Sequence, residues 1–155
     1  MYYFVIIGIL IIVDQFTKYI IQSNLDLNQS VSVIEGVFHI TYIHNYGAAF
    51  SILEGKQGFF IAVTSVVIIA IIVYIVFNRH NAYPLLLVSL SLISGGGIGN
   101  LINRIQVGYV VDFLDFRIWP IFNVADIAVC CGCLLILIYM FFIEPKLKKD
   151  LPIKN

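Results

Sequence analysis

Four long apolar stretches separated by polar segments dominate this chain. They run from about Tyr2 to Ile21, Gly58 to Phe77, Pro84 to Ile105 and Phe122 to Ile143. Each is near the ~20 residues that a membrane-spanning helix needs. Between the first two stretches the pattern changes. Residues 31–44 are rich in β-branched and aromatic side chains and partly alternate, which predicts strands. Phe38, Ile40 and Tyr42 would share one face, with Val37, His39, Thr41 and Ile43 on the other. The predicted architecture is an all-α membrane protein of four transmembrane helices, with a small extracytoplasmic β-sheet resting on the outer membrane face.

Composition supports this class. The chain has 155 residues, of which 61% are hydrophobic and only 12% charged. A soluble domain would carry about twice that charge fraction. A single integral membrane domain, residues 1–155, is therefore expected, with no room for a second. The formal net charge of zero gives no global field favouring nucleic acid. The first stretch lacks a basic leader and a small-residue cleavage site, and Asp14 interrupts it, so it reads as a span rather than a cleaved signal peptide.

Basic residues set the expected orientation. Arg79, Lys146, Lys148, Lys149 and Lys154 all fall on one side of four spans. The other side carries Lys56 and Arg117, balanced by Asp26, Glu35, Glu54 and Asp115. The positive-inside rule then puts both termini in the cytoplasm and the start of span four at the outer face.

Polar groups at the spans locate the chemistry. Asp112 lies in Val110-Val111-Asp112-Phe113, and Asp126 in Phe122-Asn123-Val124-Ala125-Asp126, which runs into an apolar stretch. A carboxylate at the edge of hydrocarbon is costly and marks function by default. In span one, Asp14 and Lys18 are four apart on one helical face. They form either a self-neutralising pair or the border of a polar cavity. In span three, Gly95 and Gly99 make a small-xxx-small face suited to close helix packing, a reading favoured over a phosphate cradle. Asn100, Asn103 and Arg104 follow at helical spacing, so one face would carry two amides and a guanidinium toward Asp112 and Asp126. Those groups suit a peptide backbone or a carboxylate. The plainer alternative for Arg104 is snorkelling to the interface. Asn45-Tyr46-Gly47-Ala48-Ala49-Phe50 reads as a turn where backbone can approach a ligand.

Other constellations carry less. Cys130, Cys131 and Cys133 lie inside span four and read as buried thiols acting as small apolar residues. On a regular strand His39 and His44 would point to opposite faces, which argues against a shared metal. No span contains a histidine and no Gly-x-Ser-x-Gly occurs, which excludes an intramembrane Ser–His dyad.

Two neighbouring aspartates cannot both ionise easily, so they share a proton. The ionised member takes a proton from water while the protonated one polarises a carbonyl, as in aspartic proteases, with no metal or cofactor. The plainer reading of Asp126 alone is a helix cap. Three other classes stand beside the protease. One is a small proton-coupled transporter with Asp14, Lys18, Asp112 and Asp126 as relay groups. Against it, a relay also needs ionisable groups in the cytoplasmic half, and this chain clusters them outward. The others are a non-catalytic scaffold and a metal-dependent phosphohydrolase.

Five segments in order resemble the lipoprotein signal peptidase (signal peptidase II) family. They are Asp14-Gln15-Phe16-Thr17-Lys18, Asn45-Tyr46-Gly47-Ala48-Ala49-Phe50, Gly95-Gly96-Gly97-Ile98-Gly99-Asn100, and the two segments holding Asp112 and Asp126. The resemblance covers essentially the whole chain. It implies a bacterial inner-membrane enzyme that removes the signal peptide from prolipoproteins, cutting before a diacylglyceryl-modified cysteine, with membrane lipid around it and globomycin-type inhibitors in its site. It also implies that Asp112 and Asp126 are the catalytic dyad. Asp14, Lys18, Asn45, Gly47, Asn100, Arg104 and Asn123 would support the dyad or bind substrate. Residues 23–57 would match the family's outer β-cradle and half-helix. One departure is Asn103, where the family commonly has Asp.

Overall fold

The structure, a computed structural model, describes residues 2–47 and 57–150, with side chains through residue 147. The chain runs α1 (Tyr2–Asn24), β1 (Ser30–Ile34), β2 (Phe38–Asn45), α2 (Gln57–Asn78), α3 (Pro84–Gln106), β3 (Val110–Asp115) and α4 (Val124–Ile138). A π-helical turn, Tyr139–Ile143, carries α4 into a last helix, α5 (Glu144–Asp150). Among the described residues four apolar helices are long enough to cross a membrane, the fourth running Val124–Leu147. Ala48, Ala49, Phe50, Glu54, Lys56 and Lys154 lie outside the described residues.

Span boundaries follow local chemistry. Pro84 opens α3 at a position where its missing N–H costs nothing. The fourth helix starts at Val124 rather than at the expected Phe122. Asn123 caps it, its side chain accepting from the Asp126 N–H at 3.0 Å, and Phe122 instead pairs with Leu114. A cap side chain that satisfies a free helix N–H ends the helix there.

Helix α3 is the centre of the bundle and packs against α1, α2 and α4. Its glycine run touches all three neighbours, and in lipid such close packing drives helix association. A methyl on Gly95 would meet Leu10 of α1, one on Gly96 the Ala125 carbonyl of α4, and one on Gly97 Ile68 of α2. The packing reading of these glycines therefore holds, but over three interfaces rather than one face. At the other end of the bundle Tyr3, Ile7, Ile75 and Leu87 form an apolar core.

The strands form an antiparallel sheet in the order β1-β2-β3. The expected strand pair is present, although Val37 belongs to the turn between the strands rather than to β2. Gly36 sits in that turn at φ +70°, a conformation glycine adopts freely. The third strand was not foreseen. It comes from the loop after α3, and its Asp112 pairs with Ile43 of β2. Tyr42, Val111 and Phe113 pack the sheet onto Ile21 of α1, Leu25 just beyond its end and Val124 of α4.

Candidate active site

Asp112 is held by β3, and Asp126 by the first turn of α4. Both line a cavity of about 1050 Å³ between α2 and α4, with α3 as its floor and the sheet at its mouth. Amide donors occupy all four carboxylate oxygens. Asp112 Oδ1 accepts from Asn123 Nδ2 at 2.6 Å, and Oδ2 from Asn45 Nδ2 at 2.8 Å. Asp126 Oδ1 accepts from Asn100 Nδ2 at 2.7 Å, and Oδ2 from the Asn123 N–H at 3.1 Å. Asn123 thus touches both acids, while it caps α4 and is itself fully buried. The cap reading of Asp126 holds, and the capping asparagine also carries the side-chain bond to Asp112.

Electrostatics follow from this burial. Desolvation, then the neighbouring charge of Asp126, pushes the Asp112 carboxyl up to about 6, against the opposing hydrogen bonds from Asn45 and Asn123. Such a group changes protonation near neutral pH.

Asp14 and Lys18 do not line the cavity. Each is only 1% exposed, and they lie behind its wall, joined at 2.8 Å. Lys18 Nζ also donates to Asn100 Oδ1 at 2.8 Å, which orients the amide that holds Asp126. Asp14 Oδ1 accepts the Ala125 N–H at 3.0 Å, one residue before Asp126. The pair is therefore both self-neutralising and positioning. A carboxylate here satisfies a free N–H of the α4 terminus and suits its positive end.

Asn100 and Arg104 line the cavity as expected. Asn103 does not. It turns toward α1, where its amide lies 3.4 Å from Gln15 Oε1, because a position three residues on is rotated away from the cavity. Its buried Oδ1 has no partner among the described residues. Arg104 is not a free snorkelling cation. Its guanidinium donates to the Gly47 carbonyl at 3.0 Å and lies 5.4 Å from the centre of the Phe60 ring, a cation–π distance. Gly47 N–H in turn donates to Asn45 Oδ1 at 3.0 Å, so the segment after β2 is tied both to α3 and to the amide beside Asp112.

Sequence reasoning missed Gln15 and Gln57. Gln15 bridges Asp14 and the Gly99 carbonyl, and Gln57 donates to the Arg104 carbonyl. Their signal was available, since a glutamine in or beside an apolar span needs a partner. The cysteines correct an expectation. Cys130, Cys131 and Cys133 are exposed, the first two along the cleft, because a single spanning helix covers only part of its apolar surface with protein. The histidines take separate partners. His44 stacks on Tyr109 at 3.5 Å, and burial holds it below the ordinary imidazole range. His39 Nδ1 lies 2.6 Å from Arg117 Nη2. Between them the β2–β3 register shifts, so simple alternation does not apply.

Four spans and a pair of carboxylates at one end, Asp112 buried and Asp126 partly so, define a multi-pass membrane protein with a polar site in a cleft between its helices. Comparison with known proteins narrows this class. Residues 6–142 match a family described as signal peptidase (SPase) II. A relative from Halothermothrix orenii named lipoprotein signal peptidase is 44% identical over 138 residues, covering 89% of this chain and 94% of its own. One of the same name from Listeria monocytogenes is 43% identical over 153 residues, covering 96% and 98%. A solved structure described as a bacterial membrane enzyme, determined by the in meso method at 2.3 Å resolution, superposes with a TM-score of 0.86 at 34% identity. It covers 99% of this chain and 93% of that one. A second, at 1.9 Å resolution, gives 0.80 at 39% identity over 90% and 92%. The chain belongs to the signal peptidase II family and is a membrane-embedded peptidase.

Proposed function

We propose that this chain, as one domain over residues 1–155, is an aspartyl endopeptidase that removes the signal peptide from diacylglyceryl-modified prolipoproteins, cutting before the lipidated cysteine. The observation that carries the reading is the pair Asp112 and Asp126, whose four oxygens are all held by amides while both acids face one large cleft. The names of the relatives support the substrate class. The cleft supports its shape, since apolar walls from α2 and α4 suit a signal helix and acyl chains, and the polar end suits the scissile peptide.

In the reaction the ionised aspartate takes a proton from water as the water oxygen bonds to the scissile carbonyl carbon. The protonated aspartate gives its proton to the carbonyl oxygen, leaving a neutral gem-diol. The C–N bond then breaks, the amine nitrogen gaining a proton from one aspartate as the other recovers the gem-diol proton. Asn45, Asn100 and Asn123 keep the acids in register. Arg104 and Gly47 hold the segment beside Asn45, and Asp14 with Lys18 holds the start of α4. Globomycin-type inhibitors would fill the same cleft. With both termini in the cytoplasm, as the basic residues favour, the site faces the outer leaflet.

The test is cleavage of a diacylglyceryl-modified lipobox peptide by wild type, Asp112→Asn and Asp126→Asn. Each variant is expected to fold and to lose about 10³-fold or more in rate. Because the folded protein raises the Asp112 pKa, its ionised form costs stability once pH exceeds the unfolded value, and the full cost is reached above about 6. Asp112→Asn therefore should not lower thermal stability at neutral pH. A folded variant that still cleaves normally would sink the dyad and return the relay reading.

A further inference from the structure

We infer that the loop between β3 and α4 is a specificity arm, its tip Ile118–Trp119 the contact for the acyl chains of the diacylglyceryl group on the substrate cysteine. The inference rests on the proposed cleavage reaction for the identity of the substrate. It goes further by giving a binding role to residues outside the network around the acids. The loop carries four apolar residues in succession, Ile118, Trp119, Pro120 and Ile121, and all of them line the cleft that holds Asp112 and Asp126. Yet Ile118 is 92% exposed and Trp119 64%. Large apolar side chains that line a cleft and stay uncovered are left for a bound apolar group to cover.

The root of the loop is built to hold that tip in place. Arg117 has φ +65°, a left-handed conformation that a non-glycine residue adopts at a cost. Its side chain lies on the sheet, where the guanidinium is 2.6 Å from His39 Nδ1 and donates to Ser30 Oγ at 3.2 Å. It also pairs with Asp115 at 3.4 Å, and Asp115 in turn accepts from the Thr41 hydroxyl at 2.7 Å. The Phe116 ring lies 4.7 Å from that of Phe38 and stacks on that of Phe122 at 5.9 Å. The polar groups of the root are thus engaged with the sheet, and the tip is presented without having to be ordered on binding, which favours affinity.

Placement decides which part of the substrate the tip meets. The substrate has two apolar parts, on opposite sides of the scissile bond. The signal helix precedes the bond and must lie alongside the spans, where Val63 and Val67 of α2 and Cys130 of α4 wall the cleft. The arm belongs to the sheet end. It leaves β3 after Asp115 and is closed by the bridge from Leu114 to Phe122 before α4 begins. On that side of the acids the substrate continues from its cysteine, and the apolar part attached there is the diacylglyceryl group. Acyl chains offer no hydrogen bonds, so an aliphatic and an indole face suit them, and the amphipathic indole also tolerates the ester level.

Trp119 is the sole tryptophan, so its fluorescence reports the arm alone. The full chain in detergent is given a tryptophan-free diacylglyceryl lipobox peptide whose scissile amide is reduced to an amine, so that it binds without being cut. One version carries bromine on the acyl chains near the glyceryl esters, another on a phenylalanine of the signal segment. The acyl bromine is expected to quench Trp119 severalfold more than the signal-segment bromine, and excess unbrominated peptide to relieve the quenching. Quenching by the signal-segment bromine alone, by neither, or without relief by the competitor would overturn the inference. In cleavage assays Ile118→Ser and Trp119→Ala are expected to raise KM severalfold for a long-chain diacylglyceryl peptide and less for a dibutanoyl one, with kcat changed less than KM. Losses of equal size on the two peptides would show that the tip does not touch the chains. If wild type binds the ordinary peptide but does not cut it, the proposed reaction fails, while the quenching still decides the arm.

Discussion

The two ends of the bundle are held together by different physics. At the sheet end Asp14, Lys18, Asn100 and Asn123 form a continuous polar network that reaches both acids. At the other end Tyr3, Ile7, Ile75 and Leu87 meet through apolar contacts, and serines such as Ser89 and Ser91 bond back to their own helix, to Leu85 and Leu87. The first end gains position and direction from hydrogen bonds that are strong where water is scarce. The second gains only close packing, because lipid is as apolar as a side chain and burial alone drives little. A change at the sheet end should therefore cost function before fold, and a change at the other end the reverse.

Gly99 and Gly132 sharpen that contrast most. A methyl on Gly99 would lie 2.5 Å from Asp14 Oδ2. Gly99→Ala should displace Asp14 from the Ala125 N–H, move the first turn of α4 and lower cleavage about 10²-fold, the scale of a ~1 Å misplacement. A methyl on Gly132 would meet the Ser89 carbonyl and Ile93, each at 2.7 Å. Gly132→Ala should cost about 1–3 kcal/mol of stability while each folded molecule keeps near-normal activity. Parallel thermal unfolding and single-turnover cleavage would decide. Equal losses of both kinds in both variants would erase the distinction.

A smaller effect tests the hydrogen bonds directly. Asn45 donates to Asp112 and favours its ionised form. Asn45→Ala removes that donor, so Asp112 should hold its proton to higher pH. The alkaline limb of the pH–rate profile should move upward by about one unit, the worth of one charge-assisted bond. A limb that stays put, or moves down, would show that Asn45 does not tune the acid. The smallest effect belongs to the lipid-facing surface. Cys133→Ser should change stability by less than about 0.5 kcal/mol and leave cleavage unaltered, as denaturant melts and initial rates can verify.

Most of the bundle was readable from hydropathy, since ~20 apolar residues in lipid have few alternatives to a helix. Asp112 and Asp126 stood out for the same reason, as costly groups with no bland purpose in common. Other features were hidden because they depend on pairing at a distance. β3 is short and has no hairpin partner beside it in sequence, so its strand character appears only once β2 arrives across two helices. Asn103 looked like a cavity residue by spacing, but helix rotation against α1 turned it to Gln15. The cysteines looked buried because an apolar span does not say which side faces protein and which faces lipid.

The chain's own order of residues determined that there are four spans, which end of them is polar, and that acids stand there at costly positions. Those are properties of local composition, set by transfer from water to lipid. Only the tertiary structure decided that one asparagine caps α4 and holds both acids, that Asp14 and Lys18 act from behind the wall, and that the loop at Arg117 turns its charges inward and its apolar tip out. These depend on hydrogen-bond geometry between segments far apart in sequence, where a rotation of one helix or a shift of one strand decides which group meets which.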